Sequence, residues 1–321
     1  MNGKSAAAID IGSNSCRMLI AGRQGDRIVP RDHGLKITRL AAGVDSSGNL
    51  NDAALSRTFA VLSDFKKRIE KADVSKIAAV GTSALREVNN SSRFLDRVRE
   101  ELEIPVDVIT GEREAELILK GVASRKNRRV GLVIDIGGGS TEIIFEGGAE
   151  NAKALSRKVG AVRFTERYVD DPAREFPAST CEVIRDAGRG IFSELDLPRL
   201  QFGNAAGVFG VGGTITTLAA VKLEMSRYRP EEIEDFKLGF KEVEKIVGRL
   251  AGMKLPQRKG VTGLAPGRAD VILAGALILL AFMEEADLDT LKVSDRGVLY
   301  GLISESLPAG KMGPSLRQEN H

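Results

Sequence analysis

Apolar positions in this chain follow a helical period in some segments and a strand pattern in others. Residues 51–72 have apolar side chains at helical spacing, from Leu55 to Ile69. Short apolar runs, such as residues 76–81, are typical of buried strands. The pattern predicts further helices at 91–102, 112–124, 178–195, 215–221, 241–249, 270–283 and 297–306, and strands at 106–110, 207–211 and 291–294. This alternation predicts an α/β protein with mixed sheets.

One segment occurs twice. Residues 6–20 read AAAIDIGSNSCRMLI, and residues 131–145 read GLVIDIGGGSTEIIF, without gaps at an offset of 125. Each copy predicts a β-hairpin with a small polar tip, so we expect a duplicated domain. We place domain I at 1–126 and domain II at 127–301, with a segment near 302–315 packing back on domain I and a mobile tail at 308–321. The basic run 125–129 is either a hinge between the halves or a solvated charged turn.

Composition narrows the class of protein. A chain of 321 residues fits two domains, and its 42% hydrophobic and 28% charged residues exclude disordered and fibrous classes. A net charge of only +3 argues against a nucleic-acid partner. Two cysteines and two histidines without ligand spacing exclude a structural zinc site and a disulfide framework. Residues 271–283 are apolar but too short to cross a bilayer, so we expect a buried helix, no membrane partner and a cytoplasmic protein.

The first hairpin tip carries groups that suit a phosphate. Gly12 permits close backbone approach, and Ser13, Asn14 and Ser15 add small polar side chains. An ordinary hairpin tip explains these residues equally well. Asp10 is harder to explain that way, because a carboxylate at the end of a buried strand requires a cation or a donor.

The second tip is more specific. Gly137, Gly138 and Gly139 are costly to order, which makes sense if a phosphate chain lies against their backbone. Ser140 follows them, and Asp135 and Glu142 flank the turn. Carboxylates beside a polyphosphate predict a Mg²⁺ site, whereas the alternative is a flexible loop with two solvated acids.

Three further segments are ambiguous by themselves. Gly212, Gly213 and Thr214 precede a helix whose N-terminus could bind an anion, although a tight turn explains them too. Arg86 is predicted in the first turn of a helix, where the dipole disfavours a cation, so it either faces an anion or forms a surface salt bridge. Glu112, Glu114 and Glu116 suit a helix N-terminus, and the residues alone do not select one as a base.

Together these motifs resemble the exopolyphosphatase / guanosine pentaphosphate phosphohydrolase family, within the superfamily of actin, sugar kinases and Hsp70. The resemblance runs nearly end to end and includes GTSALREVNN, ITGEREAEL, GVGGTITTLAA and VSDRGVLYGLI. It implies two actin-like (ribonuclease H-like) domains with mixed five-stranded sheets, flanking helices and an interdomain cleft. It also implies a hydrolase of phosphoric anhydrides that releases orthophosphate from polyphosphate or guanosine pentaphosphate.

The resemblance also assigns roles to residues. Glu114 is similar to the family's catalytic base, Arg86 to its phosphate-binding arginine, and Glu142 to a water-positioning acid. Asp135, Asp10 and Glu142 would bind Mg²⁺, with Mn²⁺ as the alternative. The substrate would be bound by three glycine-rich turns, namely Ser13, Asn14, Ser15, Gly137, Gly138, Gly139, Ser140, Gly212, Gly213 and Thr214, with Arg86.

Some alternatives stay open. Cys16 stands where the family usually has Phe, and the chain resembles the short form, which lacks the additional C-terminal helical domains. The sequence does not rank polyphosphate against guanosine pentaphosphate, and it leaves a homodimer open. A kinase of the same superfamily and a non-catalytic sensor of guanosine tetra- or pentaphosphate are the rival functions.

Overall fold

A computed structural model describes residues 4–125, 128–146, 152–195 and 207–308. The predicted tail therefore lies almost wholly outside the described residues. Within them, the fold consists of two mixed sheets with helices on their faces, as the resemblance implied. No helix in this part of the chain combines the length and apolar character needed to span a membrane.

The first half builds a five-stranded sheet in the order β3-β2-β1-β4-β5. Strands β1 to β3 are antiparallel, whereas β4 and β5 run parallel to β1. The strands are β1 Ser5–Ile11, β2 Ser15–Gln24, β3 Arg27–Ile37, β4 Lys76–Gly81 and β5 Val106–Val108. The helices are α1 Val44–Ser47, α2 Asp52–Lys71, α3 Ser83–Arg86, α4 Ser91–Leu102 and α5 Gly111–Ala123.

The second half builds a six-stranded sheet in the order β10-β11-β9-β6-β7-β8, one strand more than expected. The additional strand, β10, has three residues and pairs antiparallel with β11 at the sheet edge. The strands are β6 Val130–Ile136, β7 Thr141–Glu146, β8 Ala152–Arg157, β9 Gly207–Val211, β10 Lys237–Gly239 and β11 Thr290–Val293. The helices are α6 Ala161–Tyr168, α7 Ala178–Ser193, α8 Gly212–Lys222, α9 Pro230–Ile233, α10 Phe240–Ala251, α11 Leu255–Lys259, α12 Ile272–Glu285 and α13 Val298–Ser306.

The two repeated segments form equivalent hairpins. In the first, Asp10 pairs across the strands with Arg17, and in the second, Asp135 pairs with Glu142. Both pairs sit at the same place, because Arg17 and Glu142 are also 125 residues apart. The duplication predicted from the sequence is therefore confirmed at the level of strand register. The two hairpins differ in charge next to their tips, since an arginine in one strand stands where the other hairpin has a glutamate.

Buried apolar residues form separate cores under each sheet and a third cluster between the halves. Phe65 and Val98 pack beneath the first sheet. Helix α12 is buried from Ile272 to Met283 beneath the second, which confirms the predicted buried helix. The shared cluster includes Leu117 of α5 and Ile303 of α13. These contacts hold the two halves around a common cleft.

Arg128, in the basic run between the halves, is not a solvated residue. Its guanidinium is nearly buried, pairs with Glu234 at 2.7 Å and Asp235 at 2.6 Å, and lies 4.7 Å from the Phe209 ring centroid. A buried charge requires such partners, and the two acids are more than 100 residues away along the chain. Residues 126 and 127 lie outside the described part.

Helix α13 packs closely on α5. A Cβ added at Gly301 would lie 2.1 Å from the Leu117 carbonyl oxygen, and one added at Gly121 would lie 2.1 Å from the Gly297 carbonyl oxygen. These backbones therefore approach closely because both positions lack a side chain.

We predict that Gly301→Ala destabilises the protein by about 1–3 kcal/mol or more, because rigid backbone atoms occupy the space of the new methyl group. Gly248→Ala is the matched control, since nothing lies within 4 Å of that position in α10. The control should stabilise by roughly 0.5–1 kcal/mol through helix propensity. Urea unfolding measures both, and equal stability of the two variants would contradict the packing.

Candidate active site

The two hairpin tips, α5 and the start of α8 enclose a cavity of about 80 Å³. All of the predicted site residues except Arg86 line this cavity. They are Asp10, Ser13, Asn14, Ser15, Glu114, Asp135, Gly137, Gly138, Gly139, Ser140, Glu142, Gly212, Gly213 and Thr214. The structure thus brings three glycine-rich turns to one place, while their roles stay predictions.

The second tip is held by its carbonyl oxygens. The oxygen of Gly137 accepts from Ala161 N at 2.9 Å, and that of Gly138 from Val162 N at 2.9 Å, both in the first turn of α6. The oxygen of Gly139 accepts from Arg163 Nε at 2.8 Å. In a trans peptide, the next residue's N–H points the opposite way. The N–H groups of Gly138, Gly139 and Ser140 therefore face away from α6 and donate no hydrogen bond within the described residues.

The first tip is held in the same way by the segment after β3. The Ser13 oxygen accepts from Ala41 N at 2.9 Å, and the Asn14 oxygen accepts from Thr38 N at 3.0 Å and Arg39 N at 2.9 Å. The N–H groups of Asn14 and Ser15 consequently face the other side of the turn. Consecutive N–H groups of this kind form a concave site for an anion.

The two tips touch each other. A Cβ added at Gly139 would lie 2.6 Å from Ser83 Oγ and 2.9 Å from Ser13 Oγ, and one at Gly138 would lie 3.0 Å from the Ser13 Cβ. Both neighbours belong to the first half of the chain, so the glycines permit the tips to close on each other. The cleft in this structure is therefore closed at the tips.

Four carboxylates are buried around the cavity, with exposed fractions of 2% for Asp10, 8% for Glu114, 7% for Asp135 and 1% for Glu142. Burial raises the pKa of Asp135 to about 6, despite the opposing charge of Arg17. Burial and the nearby Asp135 raise the pKa of Glu142 to about 7. Burial raises the pKa of Glu114 well above its ordinary value, and the three other carboxylates add to this effect.

Arg86 lies behind Glu114 rather than in the cavity wall. Its Nη1 donates to the Ile109 oxygen at 2.8 Å and to Glu114 Oε2 at 3.3 Å. The predicted conflict with a helix dipole was wrong, because α3 is a single turn and Arg86 is its last residue. A cation is favourable at that end. Arg86 thus fixes the carboxylate that the sequence predicts to be the base.

The donor set suits a divalent cation. Asp10 Oδ2 accepts from Arg17 Nε at 3.0 Å, but its buried Oδ1 has no hydrogen-bond partner. Carboxylate oxygens crowded together and shielded from water are the ligands that Mg²⁺ prefers. No group of three or more acidic, histidine or cysteine side chains in the described ranges could hold a metal ion by itself. A cation here would therefore take further oxygen ligands from water or phosphate.

Two arginines that the sequence reasoning did not select also lie at the site. Arg17 pairs with Asp10, and Arg268 donates to the Gly213 oxygen at 2.8 Å and to Thr217 Oγ1 at 2.7 Å. Burial lowers the pKa of Arg268 to about 10. The position of Arg17 opposite Asp10 in the hairpin was a usable signal. Arg268 had none, because its partners lie more than 50 residues away.

A second cavity of about 850 Å³ adjoins the first. Four residues line both cavities, namely Arg17, Gly212, Gly213 and Arg268. Tyr228 also lines the larger cavity and donates from its hydroxyl to Asp295 at 2.5 Å. A chain-like anion could therefore extend from the small cavity past two guanidinium groups into a much larger space.

Gly212 is required where Asp135 meets the third turn. Its φ of +85° lies in the left-handed region, and an added Cβ would be 2.0 Å from Asp135 Oδ1. Any side chain there would displace the carboxylate. The third turn therefore contacts the acid of the second hairpin directly, and α8 begins at Gly212 rather than at residue 215.

We predict that Glu142 destabilises the metal-free fold as the pH rises. Its pKa is about 7 in the folded protein against an ordinary 4.5, so its unfavourable contribution is absent below pH 4.5 and complete above pH 7. In EDTA, Glu142→Gln should exceed the wild type in unfolding free energy by about 1–3 kcal/mol at pH 8, and by less at pH 5.

Thermal unfolding at both pH values measures this difference, with exposed Glu112→Gln as the control. Added Mg²⁺ should narrow the gap at pH 8 by stabilising the wild type. If the difference in unfolding free energy does not change with pH, or if Glu142→Gln is less stable than the wild type at pH 8, the buried charge of Glu142 does not destabilise the fold.

The chain is similar to known proteins over most of its length. The model of the Ppx/GppA phosphatase family matches residues 28–309. The chain is 32% identical over 313 residues to exopolyphosphatase 2 of Mycobacterium tuberculosis, covering 92% of this chain and 96% of that protein. It is 30% identical over 304 residues to a guanosine-5'-triphosphate,3'-diphosphate pyrophosphatase of Photobacterium profundum, covering 94% of this chain and 59% of that protein.

A solved structure is also similar over nearly the whole chain. The Aquifex aeolicus member of the Ppx/GppA family superposes with a TM-score of 0.78 at 32% identity, covering 94% of this chain and 97% of that one. The share of the curated relatives that the chain spans varies from 46% to 96% of their length.

Proposed function

Because the chain belongs to the Ppx/GppA phosphatase family, we propose that it hydrolyses phosphoric anhydrides and releases terminal orthophosphate from inorganic polyphosphate, guanosine pentaphosphate or both. One observation carries the proposal: two tips with outward-facing N–H groups meet at a cavity lined by four buried carboxylates. The N–H groups suit phosphate oxygens, and the carboxylates suit a cation and a base.

The relatives' names support hydrolysis of phosphoric anhydrides, but they do not choose between polyphosphate and guanosine pentaphosphate as the substrate. One is called an exopolyphosphatase and another a guanosine-5'-triphosphate,3'-diphosphate pyrophosphatase. Both names describe cleavage between phosphates. The two adjoining cavities are compatible with either substrate in this proposal. The terminal phosphate would occupy the small cavity, and the remainder would pass Arg17 and Arg268 into the larger one.

Glu114 is the base in this proposal. It is buried beside Asp10, Asp135 and Glu142, and its raised pKa makes it a stronger proton acceptor once it is ionised. Arg86 holds its Oε2 and fixes its orientation. Glu114 would accept a proton from the water that attacks the terminal phosphorus, while Glu142 would orient that water. The bond to the bridging oxygen then breaks, and orthophosphate leaves.

Tip N–H groups and a cation would share the charge of the terminal phosphate. Asn14 and Ser15 from the first tip, with Gly138, Gly139 and Ser140 from the second, would bind its oxygens. Asp10, Asp135 and Glu142 would contribute ligands to Mg²⁺, or to Mn²⁺ as the alternative, together with oxygens of water or phosphate. The cation would offset negative charge on the phosphates. Thr214 and the neighbouring glycines would hold the part of the substrate beyond the terminal phosphate.

We predict that Glu114→Gln lowers kcat by about 10²–10⁴-fold with little change in substrate affinity, because the amide keeps the shape but accepts no proton. The assay is phosphate release with Mg²⁺ from short polyphosphate, long polyphosphate and guanosine pentaphosphate in parallel. Calorimetry with the same substrates measures affinity.

Glu112→Gln is the matched control, since Glu112 is exposed two residues earlier on the same helix. It should retain the wild-type rate. A fully active Glu114→Gln would remove Glu114 from the base role. Binding without phosphate release by the wild type would instead favour a sensor, and transfer from ATP to an acceptor would favour a kinase.

A further inference from the structure

Arg163 contacts three groups from different parts of the chain. Its Nε donates to the Gly139 oxygen at 2.8 Å, and its Nη2 contacts Glu87 Oε2 at 3.0 Å. Its Nη1 pairs closely with Asp45. Gly139 belongs to the tip of domain II, whereas Glu87 and Asp45 belong to domain I. Only 12% of the Arg163 side chain is exposed, so these contacts take most of its donors out of water.

This contact has no counterpart in the first hairpin. The position equivalent to Gly139 is Asn14, at the offset of 125, and its oxygen is held by backbone N–H groups of its own domain. In the second hairpin, the Gly139 oxygen accepts from the Arg163 side chain, whose other nitrogens contact Glu87 and Asp45 across the cleft. The third carbonyl of the second tip is therefore the one whose position is tied to domain closure.

We infer that Arg163 is a positioning residue that aligns the Ser140 N–H in the closed cleft. The inference rests on the proposed hydrolysis of a terminal phosphate. Because the Gly139 oxygen and the Ser140 N–H share one peptide plane, fixing the first fixes the second. Asp45 and Glu87 hold the guanidinium only when the two domains meet, so the donor is aligned when the tips are closed.

The surroundings of Glu87 support this link. Ser83 Oγ donates to Glu87 Oε1 at 2.9 Å, and Ser83 itself lines the small cavity next to Gly139. Lys158 contacts Glu87 at 3.1 Å from domain II, and Arg167 contacts Asp45 at 3.0 Å. At this contact the domain II cations face the domain I acids. Arg167, however, is half exposed and touches no tip carbonyl, which makes it a matched control.

The test compares the wild type with Arg163→Met, Arg163→Lys and Arg167→Met. Arg163→Met should lower kcat at least tenfold with a smaller change in KM, because a misaligned donor chiefly loses charge stabilisation in the transition state. Arg163→Lys should recover part of kcat, since an ammonium can reach one acceptor at a time. Arg167→Met should stay within twofold of the wild type. Wild-type kcat in Arg163→Met, or equal losses in Arg163→Met and Arg167→Met, would overturn the inference.

Hydrogen exchange provides a readout that does not depend on turnover. Gly137 N donates to the Ser140 oxygen, and Ala161 N and Val162 N donate to carbonyl oxygens of the tip. Peptides covering these three amides should exchange faster in Arg163→Met than in the wild type or Arg167→Met, and unchanged exchange there would contradict the positioning role. If the wild type releases no phosphate, the proposed function fails while this comparison still decides the role of Arg163. If Arg163→Met does not fold, Asp45→Asn/Glu87→Gln replaces it, and unchanged kcat in that variant would overturn the inference.

Discussion

Asp10, Glu114, Asp135 and Glu142 are buried around a single small cavity. Burial and the neighbouring carboxylates raise the pKa of Glu114, Asp135 and Glu142. Such a cluster persists only if cations or donors compensate it. Arg17 compensates Asp10, Arg86 compensates Glu114, and Ser156 Oγ donates to Glu142 at 2.9 Å. The unpaired Asp10 Oδ1 shows that compensation by the protein is incomplete. The structure therefore favours a bound cation. Such a cation would also offset the repulsion between the carboxylates and a bound phosphate.

The repeated hairpins give the two walls of the cavity the same backbone geometry, and sequence differences between them give the walls different charges. The two hairpins share one register, and in both of them tip carbonyls accept hydrogen bonds from a neighbouring segment. The N–H groups of the residues that follow therefore point away from that segment. The hairpins differ at the positions of Arg17 and Glu142, which places a cation on one wall and an acid on the other. Two hairpins that both carried arginine, or both carried glutamate, would place the same charge on both walls. The third turn, at Gly212, adds a surface that only glycine permits beside Asp135.

Local patterns predicted the parts of the fold that depend on local chemistry. The hairpins, the buried α12 and the helix of Glu114 follow from strand and helix periods, and Thr110 caps α5 by accepting from Arg113 N at 3.2 Å. The glycine-rich tips were visible because consecutive glycines are unusual in ordered turns. Features set by distant contacts were missed. They include the burial of Arg128, the approach of Arg268 to the third turn, and strand β10, which pairs with a strand about 50 residues later.

Binding of a polyanion in this acidic cavity depends on a cation. The most direct measurement is calorimetric titration of the full chain with a triphosphate analogue that has non-hydrolysable imido bridges, at pH 8 with Mg²⁺ and with EDTA. At least tenfold tighter binding with Mg²⁺, reduced in an Asp135→Asn/Glu142→Gln variant, is the expected result. Equal affinity in EDTA would contradict it, because the buried carboxylates would then accept the anion without compensation.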